Sequence, residues 1–187
     1  LKRGLAGRRQ SCDRVKAKIS KDDKVIWMHA ASLGEYEQGL PVLEQLRINF
    51  PNHKILVTFF SPSGYENVVK KQTIGDVVCY LPFDLPQFIK EFTSHFQTEI
   101  FITVKYDFWY NLLHELKSQG AKNYVISALF YETQIYFKPY GKWFVRELSK
   151  NIDWFFHQTK HSAALARTIS LRNSSTSGDT RFDRVKK

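Results

Sequence analysis

From Lys24 onward, short apolar runs rich in β-branched residues alternate with longer stretches of helical spacing, and this alternation constrains the fold more than any other feature. A run that is apolar at every position, not every second one, belongs inside a parallel sheet covered by helices on both faces. The reading places strands at Val25 to Ala30, Lys54 to Phe60, Asp76 to Leu81, Glu99 to Val104, Asn123 to Ala128 and Trp154 to His157, with a seventh beginning within 174–179. Helices fall between them: Glu35 to Asn49, where Leu40, Leu43, Leu46 and Phe50 recur on one side, a helix opened by Ser61-Pro62, then Leu85 to Phe96, Tyr106 to Gln119, Gly141 to Lys150 and Ser162 to Ile169. The fold class is therefore α/β, a Rossmann-like parallel sheet flanked by helices.

A chain of 187 residues, 43% hydrophobic, suits one globular domain or half of a two-domain protein. Its apolar runs fall far short of the roughly 20 residues a membrane-spanning helix needs. Two cysteines, Cys12 and Cys79, are too few for a disulfide framework or a zinc site, so a reducing compartment is expected. Charge is uneven: residues 1–24 carry a net +6, residues 25–141 a net −2 and residues 142–187 a net +6. That distribution suits a surface that approaches something anionic, and equally a soluble flank of solvated lysines. The one clear boundary falls before Lys24, so residues 1–23 are read as a basic arm and 24–187 as the domain. With no initiator Met and an end at Lys187 just after a strand-like segment, the chain is expected to be a fragment.

In an open parallel sheet, ligands bind beyond the carboxyl ends of the strands, so chemistry is sought in the βα loops. After the first strand, Ser32, Gly34 and Glu35 stand at a helix start. Gly34 allows close approach of a substrate, and Glu35 is expected to be held ionised by the helix terminus, ready to act as a general base. The same Ser32-x-x-Glu35 is equally a capping box that serves only the helix. After the second strand, Ser61, Ser63 and Gly64 form either an anion nest or an ordinary cap with proline in the first turn. After the fourth, Lys105 and Asp107 are either paired with one another or face a ligand, while Phe108 and Trp109 read as helix packing. His29 is the one histidine near these loops, and a core histidine bonded to backbone is its plainer reading. No metal-ligand spacing, P-loop lysine or GxGxxG occurs, so no metal or cofactor is expected.

The strings His29-Ala-Ala-Ser32-Leu-Gly34-Glu35, Val57-Thr58 with Ser61-Pro62-Ser63-Gly64, Leu81-Pro82-Phe83-Asp84, Lys105-Tyr-Asp107-Phe-Trp109-Tyr-Asn111 and Ser177-Gly178-Asp179-Thr180-Arg181-Phe182-Asp183 together resemble the 3-deoxy-D-manno-octulosonic acid (Kdo) transferases of lipopolysaccharide synthesis, in order and spacing. The resemblance implies the N-terminal, acceptor-binding half of a GT-B glycosyltransferase. The donor, CMP-Kdo, would bind a C-terminal domain absent here, and the acceptor would be the lipid A precursor, lipid IVA. It implies Glu35 as general base in an inverting displacement without metal, with Ser32, Gly34, Ser61, Ser63, Gly64, Lys105, Asp107 and Arg181 as substrate-binding residues. It places the enzyme on the cytoplasmic face of the inner membrane, against an anionic lipid surface, with no nucleic acid as partner. The departures from the family pattern lie in two motifs: Lys105 stands where an acid is usual and Tyr110 where a proline is, and Arg181 replaces a lysine. A non-catalytic module that binds anionic lipid or nucleic acid through its basic ends, using aromatics such as Tyr136, Phe137, Tyr140 and Trp143, is the alternative, as is a GT-B transferase with another acceptor.

Overall fold

The computed structural model describes residues 7–71 and 73–179. Seven strands form one sheet: β1 (Lys24–Ala30), β2 (Lys54–Phe59), β3 (Val77–Tyr80), β4 (Gln97–Val104), β5 (Lys122–Ala128), β6 (Trp154–His157) and β7 (Ser174–Thr176). Their order is β3-β2-β1-β4-β5-β6-β7, and every pair is parallel. The chain moves outward from β1 to β3, then returns to lay β4 beside β1. Neighbouring connections therefore leave the carboxyl ends of β1 and β4 in opposite directions, and a crevice opens between them.

Helices cover both faces, as the continuous apolar strands require. α2 (Leu33–Asn49) and α3 (Pro62–Val69) lie over a cluster built on Ile26, Met28, Ile55, Val57 and Phe59. The opposite face carries α1 (Ser11–Lys16), α4 (Pro86–Thr93), α5 (Tyr110–Ser118), α6 (Lys142–Asn151) and α7 (Lys160–Thr168). At its centre Trp27 meets the rings of Phe92, Phe96 and Phe101 at centroid distances of 5.4, 5.8 and 5.3 Å. The basic arm contributes to this core. Its helix α1 was not anticipated, because Val15 and Ile19 are too few to give a period, yet both are buried with Trp27 and Phe92.

Among the other boundaries that differ from expectation, two have a clear local cause. α5 begins at Tyr110 and not at Tyr106, because Lys105 turns the chain in the left-handed region (φ 64°) and the following residues form a loop. α7 begins at Lys160, where Thr159 Oγ1 accepts the Ser162 amide and starts the helix earlier than the apolar spacing suggests. His157 ends β6 fully buried, with Nδ1 2.8 Å from Ser162 Oγ. Burial, reinforced by Arg167, lowers its pKa to about 4, so the ring is neutral.

Candidate active site at the β1, β2 and β4 loops

The site is assembled by register. His29 of β1 pairs with Thr58 of β2 on one side and Thr103 of β4 on the other, so three polar residues meet inside otherwise apolar strands. Thr58 Oγ1 accepts the Trp27 indole N–H at 2.8 Å and lies 2.9 Å from His29 Nδ1. On the other side of the ring, His29 Nε2 lies 2.9 Å from Asp107 Oδ2. Trp109 Nε1 donates to the same carboxylate oxygen at 3.0 Å, and Thr103 Oγ1 donates to the Asp107 carbonyl at 2.8 Å. His29 is thus bonded to side chains and not, as its plainer reading had it, to backbone. Asp107 is paired with His29 and not with Lys105. Trp109 stands over the histidine and against the half-exposed Phe60 ring, 4.9 Å away, while Phe108 turns into the core beside Phe130, Tyr136 and Phe155.

Glu35 sits at the third position of α2. The capping box is complete: Glu35 N donates to Ser32 Oγ at 3.4 Å, and Ser32 N donates to Glu35 Oε2 at 3.0 Å. The helix start was expected to favour the ionised carboxyl; in the fold other influences outweigh its effect on the pKa. Burial pushes its pKa above the ordinary glutamate range, and the Asp107 charge pushes it further; the amides of Ala31 and Ser32 and the Lys105 ammonium only partly offset them. A half-buried carboxyl of raised pKa is a better proton acceptor than a surface glutamate.

The β2 loop is tied to the β1 loop, since Ser61 N donates to Ala31 O at 3.0 Å. Ser61 caps α3 by accepting the Ser63 amide at 3.2 Å, and the two hydroxyls are 2.7 Å apart, with Ser63 exposed. Gly64 is buried. A Cβ there would stand 2.6 Å from the Phe59 ring and 3.2 Å from the Leu33 amide, so its lack of a side chain lets α3 approach α2. Gly34 is the opposite case: it is exposed, its φ is ordinary, and a Cβ would meet nothing within 4 Å. Ser32, Gly34, Glu35, Ser61, Ser63, Gly64, Lys105 and Asp107 therefore share one end of the sheet. Arg181 lies outside the described residues. Just before it, Gly178 turns with φ +86° and Asp179 Oδ1 accepts from Gln38 Nε2 of α2 at 3.3 Å, which brings the end of the described chain to the same helix. Among the described residues no group of three or more His, Cys, Asp or Glu is placed to hold a metal ion, and no helix is long and apolar enough to cross a membrane.

The family model described as 3-deoxy-D-manno-octulosonic-acid transferase (kdotransferase) matches residues 6–184, nearly the whole chain and all of these loops. The chain belongs to the kdotransferase family. A 3-deoxy-D-manno-octulosonic acid transferase of Haemophilus influenzae is 41% identical over 93 residues, covering 49% of this chain and 21% of the relative. One from Aquifex aeolicus is 28% identical over 157 residues, covering 84% of this chain and 40% of the relative. The chain thus spans less than half the length of these curated relatives. In fold, it matches a UDP-GlcNAc 2-epimerase of Neisseria meningitidis with TM-score 0.60 and 17% identity, covering 87% of this chain and 48% of that one. The seven-stranded sheet is the Rossmann-like half of a GT-B architecture.

Two of the motifs shared with kdotransferases prove to interlock. Asp84 of Leu81-Pro82-Phe83-Asp84 accepts the backbone N–H groups of Asn111 at 3.0 Å and Leu112 at 2.9 Å, while Asn111 Nδ2 donates to the Asp84 carbonyl at 2.6 Å. Asp84 thereby caps α5 from a distant loop, a task that Trp109 at the N-cap position leaves open. Thr58 and Phe60 were missing from the sequence-derived site. The signal for Thr58 was a polar residue in the otherwise apolar run of β2.

Proposed function

We propose that this domain binds the lipid A precursor and deprotonates it for transfer of Kdo from CMP-Kdo, with the donor held by a second domain outside these 187 residues. The observation that supports this reading is Glu35, half-buried in the first turn of α2 beyond the carboxyl end of β1, with its proton affinity raised by burial and by Asp107. In the reaction, the acceptor hydroxyl oxygen attacks the anomeric carbon of Kdo and the bond from that carbon to the CMP phosphate oxygen breaks, its electron pair leaving with CMP. The hydroxyl proton passes to Glu35, and the configuration inverts. Lys105 and the exposed Ser63 hydroxyl supply a cation and a donor for a phosphorylated acceptor, and Arg181 keeps the positive charge of the family motif it occupies.

A membrane-facing partner is supported at the arm. A groove of about 460 Å³ between α1 and α4 with the loop before it is lined by Arg8, Arg9, Lys16, Phe83 and Phe88, with the acids Asp13 and Glu91 also on its wall. Basic side chains beside exposed aromatic rings suit an anionic lipid surface, on the cytoplasmic face where both substrates are available. The deciding measurement is titration of this chain with a tetraacylated lipid A precursor and with its phosphate-free analogue, alongside Kdo transfer by the full-length enzyme. Saturable, phosphate-dependent binding that weakens in Ser63→Ala, with transfer lost in Glu35→Gln, is the expected result. Binding removed equally from every variant by moderate salt would point instead to a non-catalytic basic module.

A further inference from the structure

The basic arm touches the candidate site through Arg8. Arg8 Nη2 donates to the Phe60 carbonyl at 2.7 Å, and the guanidinium carbon lies 4.6 Å from the centroid of the Phe60 ring, 5.0 Å from that of Phe83 and 5.4 Å from that of Tyr80. The Phe60 carbonyl stands one residue past the last β2–β3 pair, Phe59 with Tyr80, and the arm supplies it with a donor. A planar guanidinium lies against aromatic rings while its edge donates, a combination that the compact ammonium of lysine does not reproduce. The approach is close, since a Cβ on the preceding residue, Gly7, would run into the Tyr80 ring.

Phe60 passes this contact on to the crevice. Its half-exposed ring lies 4.9 Å from the Trp109 ring, and the Trp109 indole nitrogen stands 3.0 Å from Asp107 Oδ2 and 3.1 Å from His29 Nε2. The next residue, Ser61, donates its amide to Ala31 O of the β1 loop at 3.0 Å and caps α3, with its hydroxyl 2.7 Å from that of Ser63. Arg8 therefore engages both the ring and the backbone of the residue that joins β2 to the loop of Ser61 and Ser63. A membrane tether has no need of such a contact. A guanidinium engaged by a carbonyl and three rings is partly withdrawn from a lipid headgroup, whereas Arg9 and Lys16 in the same groove are exposed and suit that task better.

We infer that Arg8 is a positioning residue for the acceptor: through Phe60 it sets the aromatic wall formed with Trp109 and the turn of Ser61 and Ser63 beside it, so that the basic arm is part of the site and not only a tether. The inference rests on the reading of these loops as the acceptor site. A wall placed before the acceptor arrives leaves less ordering to be done on binding.

The test is Arg8→Lys in the 187-residue chain, which keeps the charge and loses the planar donor. Two readouts are taken: the indole N–H peaks of the four tryptophans in a proton–nitrogen correlation NMR spectrum, with the Trp109 peak identified as the one missing in Trp109→Phe, and titration with the tetraacylated lipid A precursor in detergent. The Trp109 peak is expected to shift, while that of Trp154, whose indole N–H donates to Ser175 Oγ at 3.0 Å, stays in place. Acceptor affinity is expected to fall roughly tenfold, about 1.4 kcal/mol, with binding to phosphatidylglycerol vesicles unchanged because the charge is kept. Phe60→Leu, which removes the ring at the same joint, is expected to move the same peak and weaken acceptor binding by a similar factor, and it decides alone should Arg8→Lys not fold. Wild-type affinity in Arg8→Lys, or a Trp109 peak that does not move, overturns the inference, as does a loss of vesicle binding that matches the loss of acceptor affinity. A wild-type chain that binds no acceptor would overturn the reading of the site instead, and the Trp109 peak would still decide whether the arm holds the wall.

Discussion

Gly34→Ala separates what the fold needs from what a ligand needs. Glycine is usually retained where φ is positive or where a neighbour leaves no room for a Cβ, and neither holds here: Gly34 lies in the first turn of α2 with open space where the methyl would go. Replacing it removes backbone entropy from the unfolded chain, a stabilisation of at most about 1 kcal/mol and smaller near a helix end. For a chain of this size that is a rise in Tm of between zero and about 4 °C, readable in a thermal melt of the isolated domain. If the acceptor's sugar backbone passes over this turn to reach Glu35, the added methyl intrudes on it. An overpacked contact costs roughly 1–3 kcal/mol, which is about a 5- to 150-fold loss of affinity in the lipid A precursor titration. The expected outcome is thus a chain equally or more stable that binds less well. A destabilised chain would mean that the fold demands the glycine, and a stabilised chain with unchanged affinity would mean that nothing approaches this turn; either refutes the reasoning.

Three further outcomes follow from the packing. Asp84→Ala removes the acceptor of two first-turn amides of α5; at roughly 1 kcal/mol for each lost cap bond, and a urea slope of about 2 kcal/mol/M, the unfolding midpoint should drop by about 1 M, and a drop below about 0.3 M would remove Asp84 from its capping role. Val15→Ala should cost roughly 2 kcal/mol in the same assay, because Val15 is fully buried; a neutral result would make the arm a separable appendage. The His157 pKa is lowered from 6.5 to about 4 by burial, so its contribution is fully present above pH 6.5 and is lost as pH falls through 4, on the order of 3 kcal/mol in all. His157→Gln should flatten the stability curve across that window, measured by urea midpoints at successive pH values, and an unaltered curve would show that the ring is not held neutral.

The order of elements was legible because parallel strands buried on both faces leave continuous apolar runs, and Val25 to Ala30 or Lys54 to Phe59 can hardly be read otherwise. What stayed hidden depends on contacts between elements. α1 packs with two apolar residues, Val15 and Ile19, below the threshold at which a helical period shows. The start of α5 was misplaced because a single left-handed residue, Lys105, is invisible to periodicity. In the site, each loop was located but its balance was not: whether Glu35 is favoured charged by the helix end or disfavoured by burial depends on Asp107, 72 positions away in sequence, and on how much water the folded loops exclude. Packing between elements also narrows the site. Asp84 and Asn111 serve α5, and Gly64 serves the approach of α3 to α2, so these motif residues are accounted for by the fold. Glu35, Gly34, Ser63, Lys105 and Asp107 remain with side chains or open space toward the crevice, and for Gly34 and Lys105 the described packing supplies no other task. A turn open to solvent that nonetheless carries a glycine, and a lysine in the left-handed conformation at the end of β4, each cost the fold something. Those two positions therefore weigh most heavily for a ligand bound between the β1 and β4 loops.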